Sequence, residues 1–228
     1  MKDIEASLSA LRDRIREAEL AAGRPAGSVG LIAVSKTQPA EAIAEAYRLG
    51  QRDFGENYLQ EALSKQEPLS EPDLVWHFIG PIQSNKTKPL AQHFHWVHSV
   101  DRGKIAERLS EQRPAALPPL NVLIQVNVSG EASKSGVEPD QAGELAAAIA
   151  ELPRLKLRGL MAIPEPTDDV QSQRRSFRTL RQTLERLNLA GVDQLSMGMS
   201  HDLEAAILEG ATLVRVGTAV FGPRQTSR

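Results

Sequence analysis

The 228-residue chain contains no cysteine. Disulfides and thiolate chemistry are therefore excluded. It also lacks a basic excess: 27 Lys and Arg stand against 29 Asp and Glu, a net charge of -2. That balance argues against nucleic acid or an anionic membrane surface as a partner. No apolar run approaches the roughly 20 residues needed to cross a bilayer. Residues 1–20 mix Lys, Asp, Glu and Arg with apolar positions at helical spacing and show no uncharged core of a secretion signal. The expectation is a soluble cytoplasmic protein.

Short apolar runs alternate with amphipathic stretches along the whole length. Helices are expected at 3–22, 39–49, 58–66, 85–93, 102–112, 139–151, 170–187 and 202–209. The opening one carries Ile4, Leu8, Leu11, Ile15 and Leu20 near a 3.6-residue period. Strands are expected at 29–34, 52–54, 75–79, 96–98, 121–128, 155–161, 194–196 and 212–216. Apolar strands joined by helical crossovers argue for a parallel sheet buried on both faces. Eight such units suggest closure into a single (β/α)8 TIM-type barrel with an extra N-terminal helix, an α/β fold of about this length. An open doubly wound sheet stays possible on pattern alone. The Pro-rich stretches at 113–119 and 164–169 fall where loops are expected, so residues 1–228 read as one domain.

In such a barrel chemistry sits at the C-terminal ends of the strands, and here those ends are polar. Lys36 follows the apolar run Leu31-Ile-Ala-Val34. A dry surrounding disfavours an ammonium, and a neutral amine can attack an aldehyde to form an imine. A solvated lysine at a strand end remains the alternative. The runs Leu195-Ser-Met-Gly-Met-Ser200 and Arg215-Val-Gly-Thr218 follow the seventh and eighth strands, where barrels often build a phosphate site. Gly217 allows close backbone approach, and Ser200 could cap the following helix. Arg215 interrupts a buried strand, and its parity with Leu213 and Gly217 points it into the barrel mouth if Val214 and Val216 face helices. A structural ion pair reads equally well. His77, within Trp76-His-Phe, reads as a satisfied core residue. His93, His95 and His98 lack convincing metal-ligand spacing. Lys134 lies in a polar run read as a surface loop.

Together these segments resemble the YggS/PROSC group of pyridoxal phosphate homeostasis proteins, related to the N-terminal barrel of alanine racemase. The matching runs include Ala33-Val-Ser-Lys-Thr37, Asp53-Phe-Gly-Glu-Asn57-Tyr58, Trp76-His-Phe-Ile-Gly80, Gln83-Ser-Asn-Lys86, Leu195-Ser-Met-Gly-Met-Ser-His-Asp202 and Val214-Arg-Val-Gly-Thr-Ala-Val-Phe-Gly222. They span nearly the whole chain in the family's order. One departure is Ile82, where the family pattern carries Leu.

The resemblance implies a role for each matched residue. Lys36 would be the Schiff-base lysine for pyridoxal 5'-phosphate. Ser200, Gly217 and Thr218 would bind its phosphate, and Arg215 would face its pyridine nitrogen. Asn57, His77 and Met199 would line the pocket. A guanidinium only donates, so it would leave the ring nitrogen unprotonated and the cofactor a weak electron sink. The related racemases use a tyrosine from a separate β domain. Arg228 follows the last barrel motif by six residues, so no counterpart of that domain is expected. Neither Tyr47 nor Tyr58 is an obvious substitute. The implied function is a non-catalytic carrier that stores or delivers the cofactor to apo-enzymes, with a monomer as the expected state. An amino-acid racemase is the alternative, and a Schiff-base aldolase acting on a sugar phosphate is a third reading.

Overall fold

The protein is described here by a computed structural model covering residues 3–69, 71–130 and 135–222. Lys134 lies outside the described residues. Eight parallel strands close into a barrel in sequence order: β1 (Gly30–Val34), β2 (Asp53–Glu56), β3 (Val75–Phe78), β4 (Trp96–Val100), β5 (Leu120–Gln125), β6 (Leu155–Met161), β7 (Gln194–Ser196) and β8 (Leu213–Val216). β8 pairs back onto β1, with Ile32 opposite Arg215.

The helices are α1 (Ile4–Ala21), α2 (Ala40–Arg48), α3 (Leu59–Gln66), α4 (Thr87–His93), α5 (Gly103–Gln112), α6 (Ala142–Ala150), α7 (Val170–Leu187), α8 (Leu203–Leu208) and α9 (Thr218–Phe221). α2 to α8 each follow a strand. α1 packs between α8 and α2, so the N-terminal helix fills the ring position that a long helix after β8 would take. It does so with the stripe Ile4, Leu8, Leu11 and Ile15, all buried. Asp3 caps its first turn through the amide of Ala6.

Two differences from the sequence reading stand out. β5 ends at Gln125 rather than continuing to 128. Val126 instead bridges Val137, a local contact that draws the chain out of the barrel wall. The single turn α9 was not expected, because four residues carry no helical period.

The main apolar core lies between strands and helices, where Ala33, Phe54, Trp76, Phe78, Val97, Val122, Leu160, Val214 and Val216 meet the inner helix faces. The barrel interior is narrower and mixed. Ile32, Leu123 and Met161 share it with the buried polar side chains of His77, His98, Ser196 and Arg215. Polar groups there need partners inside the barrel.

Candidate functional site

One cavity of about 310 Å³ opens where the strands finish. The ends of β1, β2, β3, β6, β7 and β8 contribute, by the alternation of the pleat, which sends every second residue inward. Lys36, Asn57, Met199, Ser200, Arg215, Gly217 and Thr218 all line it, with Gln38, Ile79, Ile163 and His201, which the sequence reading did not single out. His77 is not among the lining residues. Ile79 takes the mouth position on β3, so His77, two residues earlier, lies one inward layer deeper.

Ile32, Val34 and Lys36 share the inward parity of β1, and Ser35 turns outward. The Ser35 amide donates to the Gly55 carbonyl, and its hydroxyl donates to Glu56 Oε1 at 2.7 Å. Behind this turn lies Lys65, whose Nζ donates to the Ser35 carbonyl and to Glu56 Oε1, both at 2.8 Å. Lys65 also pairs with Glu61, and Glu61 accepts from the Thr37 amide. Thr37 has φ of 64°, a left-handed conformation that is strained for a β-branched residue. The buried Glu56–Lys65 pair, with the half-buried Glu61, thus braces the turn that presents Lys36. Burial pushes the Glu56 carboxyl up, against the lowering pull of Lys65. The sequence reading missed this cluster, whose only signal was the i,i+4 spacing of Glu61 and Lys65.

Arg215 is buried at the cavity wall. Its Nη1 donates to Ser196 Oγ at 2.6 Å and its Nη2 to the Ala162 carbonyl at 2.9 Å. Among the described residues no carboxylate lies within ion-pair distance. The structural ion pair that sequence alone left open is therefore absent among them. Burial pushes Arg215 down to about 10, opposed by the charge of Asp202, so it remains a cation at neutral pH. A guanidinium has five N–H donors. The two bonds above leave donors to spare beside the cavity.

The rim is built on α8 and α9. Ser200 does not cap α8: Asp202 holds the N-cap position, and its carboxylate accepts from the Met199 amide at 2.6 Å. Arg14 of α1 reaches the Ser200 carbonyl at 3.2 Å while pairing with Glu204, and so fixes the loop from behind. Among the described residues the amides of Ser200 and His201 donate to no protein acceptor. A Cβ on Gly217 would stand 3.0 Å from the Val34 carbonyl oxygen, so glycine lets the chain after β8 pass close to β1 without displacing it. Asn57 Oδ1 is buried without a hydrogen-bond partner, a costly state unless a ligand supplies a donor. An amine, a permanent cation with free donors, an orphaned acceptor and unbonded amides suit a ligand bearing a carbonyl, an acceptor atom and an anionic arm.

Residues 6–225 match the alanine racemase N-terminal domain family, and fold and site together define a barrel of that class. Within it, the chain belongs to the pyridoxal phosphate homeostasis protein family. The protein of that name from Pseudomonas aeruginosa is 65% identical over 224 residues, 98% of this chain and 97% of its relative. The one from Escherichia coli strain K12 is 52% identical over 238 residues and is covered in full, as is this chain. Among solved structures, PipY of Synechococcus elongatus with PLP bound has a TM-score of 0.84 at 38% identity, covering 96% of this chain and 100% of that one. Alanine racemase from E. faecalis shares the fold, with a TM-score of 0.73 at 16% identity, and 58% of its length is covered. Among the described residues no helix is long and apolar enough to cross a membrane.

Proposed function

We propose that this protein binds pyridoxal 5'-phosphate covalently and serves as its non-catalytic store and donor. The observation that carries the reading is the convergence of Lys36, Arg215 and the Ser200–Gly217–Thr218 rim on one cavity. Lys36 would supply the amine that condenses with the cofactor's aldehyde, the carbonyl oxygen leaving as water. Arg215 offers N–H donors to the ring nitrogen, and the amides of Ser200 and His201 with the hydroxyl of Thr218 hold the phosphate. Asn57 and Met199 complete the walls. Bound this way, the cofactor would be held as an imine and kept out of free solution until it is passed on. Apo-enzymes short of cofactor are the recipients. The whole chain acts as one domain, a monomer in the cytoplasm.

The names of the relatives support this reading over a racemase. So does the cavity wall. A racemase needs acid–base groups on both faces of its substrate, and no tyrosine lines this cavity. Tyr47 is hydrogen-bonded to Asp73, just before β3, and Tyr58 is exposed.

Reconstitution with the cofactor, borohydride reduction and peptide mapping tests the reading. The pyridoxyl group is expected on Lys36. Its absence from Lys36, or D-amino acid formation from L-alanine at roughly 10 per second, a typical enzymatic rate, would overturn it.

A further inference from the structure

The buried polar groups beneath Arg215 form one unbroken line. Ser196 Oγ lies 2.6 Å from Arg215 Nη1 and 2.9 Å from His98 Nδ1. His98 Nε2 lies 2.9 Å from His77 Nδ1. His77 Nε2 lies 2.9 Å from Asp53 Oδ1. The line enters through four different strands, β8, β7, β4 and β3, and ends on β2. Its last member is the first residue of β2, at the opposite end of the barrel from the cavity, and that side chain is 41% exposed.

With both rings uncharged, as their burial favours, the two ends fix the direction of every bond between them. A guanidinium can only donate, and a carboxylate can only accept. Ser196 Oγ accepts from Arg215, so its single proton goes to His98 Nδ1. His98 then carries its proton on Nε2 and gives it to His77 Nδ1. His77 in turn carries its proton on Nε2, facing Asp53. Each ring is neutral, and each donates once and accepts once. Burial lowers the pKa of both imidazoles; the Asp53 carboxylate opposes that shift at His77, whereas His77 and Arg215 add to it at His98. The reversed order would require a protonated Asp53 and would leave the Ser196 proton without a partner in a buried site.

We propose that Asp53, His77, His98 and Ser196 are positioning residues for Arg215: a directed hydrogen-bond chain that orients the guanidinium toward the cavity and couples it to an anion on the far end of the barrel. Such chains polarise along their length. The chain also supplies polar partners to a buried cation that, among the described residues, has no carboxylate within ion-pair distance. Other charged groups near the line are few. Arg158 lies over Trp96, which stacks on His77. His95 senses both His77 and Asp53. Arg12, Arg16, Glu19 and Arg52 line the cleft that contains Asp53. Asp202 acts on Arg215 from the cavity side. The role assigned to Arg215 rests on the cofactor reading above, whereas the chain itself does not.

The test has an arm that needs no cofactor. Nitrogen–proton correlation spectra of the cofactor-free protein at neutral pH are expected to show His77 and His98 as neutral Nε2–H tautomers. Asp53→Asn keeps an acceptor and the shape of the side chain, and equal urea midpoints check that it folds. In that variant the ring resonances of both His77 and His98, and the guanidinium resonance of Arg215, are expected to move. An Nδ1–H tautomer, a charged ring, or a change confined to His77 would overturn the proposal. In the loaded protein Asp53→Asn is expected to move the pH midpoint of the bound cofactor's absorbance downward by roughly 0.3 unit or more. Its affinity should fall about three- to tenfold. An unmoved midpoint also defeats the proposal. If the wild-type protein takes up no cofactor, the functional reading fails, and the spectra of the cofactor-free protein decide the chain by themselves.

Discussion

The Lys65 ammonium lies 2.8 Å from Glu56 Oε1, and both side chains are almost wholly removed from solvent, at 7% and 0% exposure. The pair stands directly behind Ser35 and Thr37, so the turn that presents Lys36 is propped by a second, buried lysine. Removing one partner of such a pair strands the other. Lys65→Met is expected to lower unfolding free energy by about 3 kcal/mol or more, read as a fall in urea midpoint at unchanged slope. Lys65→Met combined with Glu56→Gln should recover part of that loss. A single variant as stable as wild type would contradict the bracing role.

Lys36→Ala separates chemistry from folding. Lys36 is half-buried and sits at the cavity wall, so its truncation should change stability by only about 0.5 kcal/mol. Covalent uptake of cofactor should vanish. Thermal melting and the visible absorption of reconstituted protein measure the two effects separately.

Arg215→Gln removes the cation and leaves Ser196 Oγ and the Ala162 carbonyl without their charged donor. Hydrogen bonds from charged groups contribute about 1.5–3 kcal/mol, so cofactor affinity is expected to fall roughly 10- to 100-fold. Equilibrium dialysis of the two proteins reads the change. Equal affinities would remove Arg215 from the site.

Gly80 follows β3, where an added Cβ would stand 2.2 Å from the Asn57 carbonyl oxygen and 2.9 Å from its Cα. The backbone must shift, and Asn57 lines the cavity. Gly80→Ala is expected to cost about 2 kcal/mol or more and to weaken cofactor retention. Gly103→Ala is the control, since a Cβ there meets nothing within 4 Å. It should change stability by no more than about 1 kcal/mol.

Burial lowers the pKa of His77 and His98 below the ordinary 6.5. In the unfolded chain both return to the ordinary value. Below about pH 6.5 the unfolded state therefore binds protons that the folded state refuses, and stability falls as pH drops toward the folded values. Each ring contributes a slope of up to about 1.4 kcal/mol per pH unit in that window and none above it. Carboxylates held low, such as Asp169 with its Ser172 and Gln171 hydrogen bonds, act only near their ordinary 3.8. Urea titrations between about pH 7 and 5.5 distinguish the two groups. A flat curve there is incompatible with two buried neutral imidazoles.

Much of the barrel was legible in the sequence because its signals are local. The alternation of short apolar runs with helical stripes marked eight strands, and the strands at 155–161 and 194–196 and the helix at 170–187 coincide with β6, β7 and α7. Parity on a strand is equally local, so Arg215 could be turned inward from Val214 and Val216 alone. The end of β5 was not legible, because its loop returns through Val137 to bridge Val126 from eleven positions away. Ser200 also misled. A serine before a helix has the composition of a cap, but the start of α8 was set by where Asp202 meets the Met199 amide.

By itself the sequence determined the order of elements, the face each inward residue takes, and the family. Those depend on periodicities of two and about four residues, written into neighbouring positions. Tertiary structure alone decided the partners: Lys65 behind Lys36, Arg14 on the Ser200 loop, and the path from Asp53 to Arg215. His98 meets Ser196 across 98 positions of sequence. No local period encodes which inward side chains share a layer, because that is fixed only when the eighth strand pairs with the first and the sheet closes.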